Sequence, residues 1–178
     1  MPIKNNNLIK GTYFPPGDKS ISHRILILAS QTIGKSEISN LLEGEDVLNT
    51  LKAMRIFGAN ISKKNNKYIV FGVPPGGLFQ PNKPINFGNS GTGIRLICGL
   101  IASNNIKAKL VGDGSLSKRP MKRVTVHLKK IGALINLKKD SYPPIKIKGD
   151  GEALPLKYNI MIPSAQIKSA IMLSALNT

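Results

Sequence analysis

Cysteine, tryptophan, acidic residues and long apolar runs are all scarce in this 178-residue sequence, and each scarcity removes a class of protein. Cys98 is the single cysteine, so neither an intrachain disulfide framework nor a cysteine-based zinc cluster is available. The two histidines, His23 and His127, are scattered and spell no metal-ligand spacing, so no metal and no cofactor are expected. No apolar stretch reaches the length of a bilayer span, which leaves a membrane role without support. The first residues, MPIKNNNLIKGTYFPPG, contain neither the apolar core nor the cleavage pattern of a secretion signal, so the expected compartment is the cytoplasm. Aromatics make up only 5% of the chain, and no interleaving of arginine with aromatic residues offers bases a stacking platform. Nucleic acid is therefore not the expected partner.

What is present in excess is positive charge, a formal +17 with a pI near 10.2. Of the 26 basic residues 21 are lysine, spread from Lys4 to Lys168, and five are arginine: Arg24, Arg55, Arg95, Arg119 and Arg123. Lysine is a strongly hydrated point charge, whereas arginine is a rigid fork that matches carboxylate and phosphate. Scattered lysine serves solubility, and the placed arginines point to a site.

Two stretches of the chain repeat one another. The first runs SISHRILILAS, SEISN, DVLNTLKAMRIFGANIS and KYIVFGV. The second runs GTGIRLICGLIAS, AKLVG, KRPMKRVTVHLKKIGALINL and PIKIKG. Each reads as helix, strand, helix, strand, strand, an α/β (α+β) pattern. Val47, Leu48, Leu51, Met54 and Ile56 recur at roughly helical spacing, as do Val124, Leu128 and Ile131, and Gly58 and Gly132 suit the ends of those helices. PIKIKG alternates apolar residues with lysine, as a half-exposed strand does. A third copy starts with a strand at 158–162 and the helix in PSAQIKSAIMLSALNT. In this alignment Ser20, Gly91 and Ser164 begin equivalent helices, and Arg24, Arg95 and Lys168 follow four residues later on one face. A unit of this kind closes its core only against the next, so two copies and a start should leave apolar surface uncovered.

Four segments carry chemistry. PPGDKSISHR at 15–24 brings Lys19, Ser20 and Arg24 to a helix start, where unpaired N–H groups and the helix dipole favour an anion. FGNSGTGIRL at 87–96 sets Asn89, Gly91 and Thr92 before Arg95, with small residues that let a ligand approach the backbone. GDGSLSKRPM at 112–121 presents Arg119 on a backbone held extended by Pro120. PSAQIKS at 163–169 adds the Ser164 hydroxyl and the Gln166 amide, both donor and acceptor.

Taken together, PGDKSISHR, GNSGTGIR, GDGSLSKRPM and PSAQIKSA resemble the EPSP synthase family, from about Lys10 onward. The resemblance implies transfer of the enolpyruvyl group of phosphoenolpyruvate to shikimate 3-phosphate. By motif, Lys19, Ser20, Arg24, Ser164, Ala165 and Gln166 would bind shikimate 3-phosphate. Lys19, Gly91, Arg119 and Gln166 would bind phosphoenolpyruvate, whose subsite in the family also takes glyphosate, with Asn89, Thr92 and Arg95 in support. The implied fold has two similar domains of three βαβαββ units each. Residues 1–14 would then pack with a second domain, and residues 15–178 would hold two units and the start of a third.

The related UDP-N-acetylglucosamine enolpyruvyl transferases are a second possibility, but they usually carry a reactive cysteine before the Arg-Pro pair, where this chain has Gly114 and Ser115. A basic, non-catalytic binding module is a third. The family's acid/base carboxylates are expected in a further part of the protein, on this chain or another, because the nine Asp and Glu here form no clear pair. The 178-residue chain supplied with both substrates is accordingly expected to show no useful turnover in a steady-state assay, and normal turnover would refute this.

Overall fold

The structure is a computed structural model that describes residues 10–159, 161 and 163–178. Residues 1–9, expected to serve a second domain, lie outside the described residues, as do Ile160 and Ile162 of the strand expected at 158–162; Tyr158 and Asn159 are not in a strand.

The first unit consists of α1 (Lys19–Ala29), β1 (Lys35–Ser39), α2 (Glu45–Ile56), β2 (Asn60–Lys64) and β3 (Lys67–Phe71). The second consists of β4 (Ile85–Asn86), α3 (Gly91–Ala102), β5 (Lys107–Val111), α4 (Lys122–Lys129), β6 (Leu134–Lys138) and β7 (Tyr142–Lys148). A last helix, α5, spans Ala165–Ser174. The two-residue strand β4 is too short to have left a sequence pattern. It completes a βαβαββ unit, whereas residues 10–18 before α1 carry no strand.

Each unit builds its own sheet, and the two share one strand order apart from the added β4. In the first, β3 lies between β1 and β2 and is antiparallel to each. In the second, the order is β4-β5-β7-β6, with β4 parallel to β5 and the other pairs antiparallel. Side chains alternate across the strands, so Ala108, Leu110, Ile145 and Ile147 face inward while Lys107, Lys109, Lys146 and Lys148 stay exposed. The second helix of each unit ends in one bonding pattern. The Gly58 N–H reaches Arg55 O and the Ala59 N–H reaches Met54 O, just as Gly132 reaches Lys129 O and Ala133 reaches Leu128 O. Both glycines have positive φ, +105° and +110°, which this helix-ending turn requires.

The helix starts correct the sequence alignment. Asp18, not Ser20, caps α1, its Oδ1 accepting the Ile21 N–H at 2.7 Å. A carboxylate accepts this bond as well as a hydroxyl does and also complements the helix dipole. Ser90 caps α3 and Ser164 caps α5. Ser20, Gly91 and Ser164 are therefore the second helical residue, the first helical residue and the cap. The cations that follow each by four residues do not share a face.

The core is organised by α3, of which every residue but Thr92 is buried. It can be so enclosed because α5 lies against it with backbone nearly touching backbone: a Cβ on Gly99 would sit 2.2 Å from Ala170 O. By contrast α1 leaves Ile21, Ile25 and Leu28 exposed at i, i+4 and i+7, and α5 leaves Met172 exposed. Apolar helix surface is thus uncovered, as the repeat arithmetic anticipates.

The Gly99 contact fixes how deeply α5 seats, and with it the position of Gln166. Gly99→Ala should force the helices apart and cost about 1–3 kcal/mol. A lowered urea midpoint measures it, and an unchanged midpoint would show that α5 is not seated by this contact.

Candidate anion site

The candidate site lies where the N-termini of α3 and α5 meet the loop that carries Arg119. Arg95 projects from the second turn of α3 and is only 5% exposed. Its Nη1 donates to Gly91 O at 3.0 Å and to Gln166 Oε1 at 3.0 Å, and its Nη2 donates to Pro120 O at 2.9 Å. All three acceptors are neutral, and the buried Nε has no partner among the described residues. Burial, reinforced by the charges of Arg123 and then Arg119, lowers the Arg95 pKa to about 10, so the group remains a cation at neutral pH.

Arg119 approaches the same point from the 112–121 segment. A short 3-10 turn, Leu116–Lys118, delivers it, and its own backbone is extended (φ −89°, ψ 128°), as expected before a proline. Its Nη2 donates to Asn89 Oδ1 and its Nη1 to Asn89 O at 3.4 Å. Gly91 lies between the two guanidiniums: a Cβ there would stand 3.1 Å from Arg119 Nη1 and 3.1 Å from Arg95 Nη1. Gln166, in the first turn of α5, donates from Nε2 to Thr92 Oγ1 at 3.1 Å. Its Oε1 also accepts from Arg123 Nη2 at 3.4 Å.

The first motif joins this cluster through α5. Arg24 donates from Nε to Ser169 Oγ at 2.9 Å, from Nη2 to Ala165 O at 3.4 Å and from Nη1 to Ser20 O at 2.8 Å. The segment Ser164-Ala165-Gln166 is therefore gripped by Arg24 on one side and Arg95 on the other. Ser164 Oγ is engaged as the α5 cap, accepting the Ile167 N–H at 3.4 Å. Lys19 does not join the group; its Nζ pairs with Asp46 Oδ2 at 2.9 Å. Behind it the wholly buried His23 shares a 2.8 Å hydrogen bond with Thr50 Oγ1, and burial drops its pKa to about 4, which leaves it neutral.

Sequence reasoning gave no individual role to Asp46, Ser169 or Arg123. Asp46 lies outside the four motifs, and Ser169 closes the fourth without having drawn a role of its own. Arg123 lies four residues past Arg119, a helix-turn spacing that could have drawn attention to it. Among the described residues no group of His, Cys, Asp and Glu could hold a metal ion, and no helix is long and apolar enough to cross a membrane. Cys98 is wholly buried, and burial pushes its thiol up to about 12, which makes it a poor nucleophile.

A complete βαβαββ unit beside an αβαββ counterpart, with arginines gathered at helix N-termini around a candidate anion site, is the pattern expected of the enolpyruvyl transferase class. The family model described as EPSP synthase (3-phosphoshikimate 1-carboxyvinyltransferase) matches residues 3–178, and the chain belongs to that family. It is 49% identical, over 99% of its length, to a 3-phosphoshikimate 1-carboxyvinyltransferase of Ruegeria sp., of which it covers 40%. It is 46% identical, over 94% of its length, to that of Parvibaculum lavamentivorans, of which it covers 37%. The solved EPSP synthase of Acinetobacter baumannii superposes with a TM-score of 0.88 at 38% identity, covering 94% of this chain and 38% of that one. The chain thus spans about 40% of the length of the curated relatives it matches.

The Gly91 geometry yields a direct test. Gly91→Ala presses only on the ends of two side chains, so the fold should persist while both guanidiniums shift by tenths of an ångström. Affinity for inorganic phosphate, used as a small-anion probe in a calorimetric titration, should fall roughly fivefold, about 1 kcal/mol. Unchanged affinity would mean that neither guanidinium contacts the ligand.

Proposed function

We propose that this chain supplies one wall of the substrate cleft of an enzyme that transfers the enolpyruvyl group of phosphoenolpyruvate to shikimate 3-phosphate in the cytoplasm. The observation that carries the reading is the set of three guanidiniums, Arg24, Arg95 and Arg119, gathered around the N-termini of α3 and α5 and bonded only to neutral acceptors. Cations held by neutral dipoles keep their charge available to a ligand, and both substrates are multiply charged anions.

Within this reading Arg24, Ser20, Ser164 and Ala165 take shikimate 3-phosphate. Arg119 and the side-chain-free backbone at Gly91 take phosphoenolpyruvate, with glyphosate as a competitor for that subsite. Gln166 lies between the two substrates, and Arg95, Asn89 and Thr92 hold this wall in shape. Lys19 serves both substrates once it exchanges Asp46 for a ligand; an exposed ion pair contributes at most about 1 kcal/mol, so the exchange costs little. Proton transfer to and from the enolpyruvyl carbon falls to groups beyond this wall. The buried Cys98 gives the nucleotide-sugar alternative no reactive thiol.

Shikimate 3-phosphate should raise the thermal midpoint of the chain, reaching about 2.7 kcal/mol of stabilisation at a concentration 100 times its Kd. UDP-N-acetylglucosamine and single-stranded RNA at equal ionic strength should not. Stabilisation by either of those and none by shikimate 3-phosphate would refute the assignment.

A further inference from the structure

Arg123 occupies a position that folding does not reward. It is the second residue of α4, a helix that opens on Lys122 and Arg123 with no acid in its first turn and no side-chain cap. Two cations therefore stand at the positive end of a helix dipole, where anions are favoured. Arg123 is also close enough to the buried Arg95 to depress its pKa. Against these costs it makes, among the described residues, one side-chain hydrogen bond, 3.4 Å from Nη2 to the neutral Gln166 Oε1. Residues that break a local rule without a local gain are characteristic of functional sites.

The bond settles which way Gln166 faces. With Oε1 receiving both Arg95 and Arg123, and Nε2 donating to Thr92 Oγ1, a flipped amide would set its NH2 against two guanidiniums. Two of the amide's acceptor positions and one of its two donors are used inside the protein. What remains for a ligand is one N–H.

We propose that Arg123 is a positioning residue of this anion site: with Arg95 it traps the Gln166 carboxamide oxygen, so that Gln166 offers a ligand a hydrogen-bond donor and no acceptor. The inference rests on the reading that Gln166 faces the substrates. It also explains the amide itself. A glutamate at 166 would pair with both arginines, steadying the fold while neutralising the charge that a phosphate or carboxylate ligand needs.

The test is a double-mutant cycle on the 178-residue chain, read by thermal midpoint without ligand and by calorimetric titration with shikimate 3-phosphate. Gln166→Glu is expected to raise the midpoint by a few degrees and to weaken binding roughly tenfold or more, in line with the strength of charge-assisted bonds. In an Arg123→Ala or Arg123→Gln background at most half of that gain should remain. In a Lys122→Ala background, which removes a neighbouring charge without touching Gln166, the gain should be intact. An equal gain in all backgrounds, or loss of the gain with Lys122→Ala, would overturn the positioning role. Coupling between 123 and 166 in a parent chain that binds no shikimate 3-phosphate would leave the positioning intact and overturn the substrate reading instead.

Discussion

A cation has been taken out of water at Arg95 without a carboxylate to receive it, and the rest of the site is arranged around that fact. Desolvating a guanidinium costs several kcal/mol unless its N–H groups are satisfied. Here the acceptors come from three parts of the chain: its own helix through Gly91 O, α5 through Gln166 Oε1, and the loop after Arg119 through Pro120 O. The guanidinium thus ties together the pieces that make the site. Because none of its partners is charged, the tie leaves the positive charge uncompensated. An acid in place of Gln166 would make a stronger brace and leave less charge for an anion.

Close approach is the second requirement, and small residues provide it. Gly99 lets α5 lie against α3 with its Ala170 backbone in contact. Without that proximity the Gln166 amide could not reach both Thr92 and Arg95. Gly91 performs the same service eight residues earlier, where two guanidiniums occupy the space a methyl group would take. One helix therefore carries both the seat for its neighbour and the room that lets two guanidiniums approach its first turn.

Much of this was legible in the residues. The helix and strand order of both units follows from apolar periodicity and from the glycines at 58 and 132, whose positive φ no other residue adopts so readily. The site motifs could be found because glycine, proline and arginine at fixed spacing have few uses besides shaping and charging a loop. Three features were not legible. Strand β4 is two residues long and owes its existence to pairing with β5, a long-range contact that leaves no local pattern. The pairing of Lys19 with Asp46 joins separate helices, and sequence spacing carries no information about it. Arg123 could be counted among the placed arginines but given no role, since its meaning depends on where α5 comes to rest.

The repeat also conceals a difference that matters more than the likeness. Counted from their caps, Arg24 is six residues from Asp18, Arg95 five from Ser90 and Lys168 four from Ser164. Each residue turns a helix by about 100°, so a one-residue offset points the cation in a new direction. Arg24 turns onto α5, Arg95 turns inward to the Gln166 and Pro120 oxygens, and Lys168 turns out to solvent. Three copies of one motif thereby become three different environments. A duplicated unit supplies helix N-termini that already favour anions, and moving the cap by one residue is enough to give each its own task.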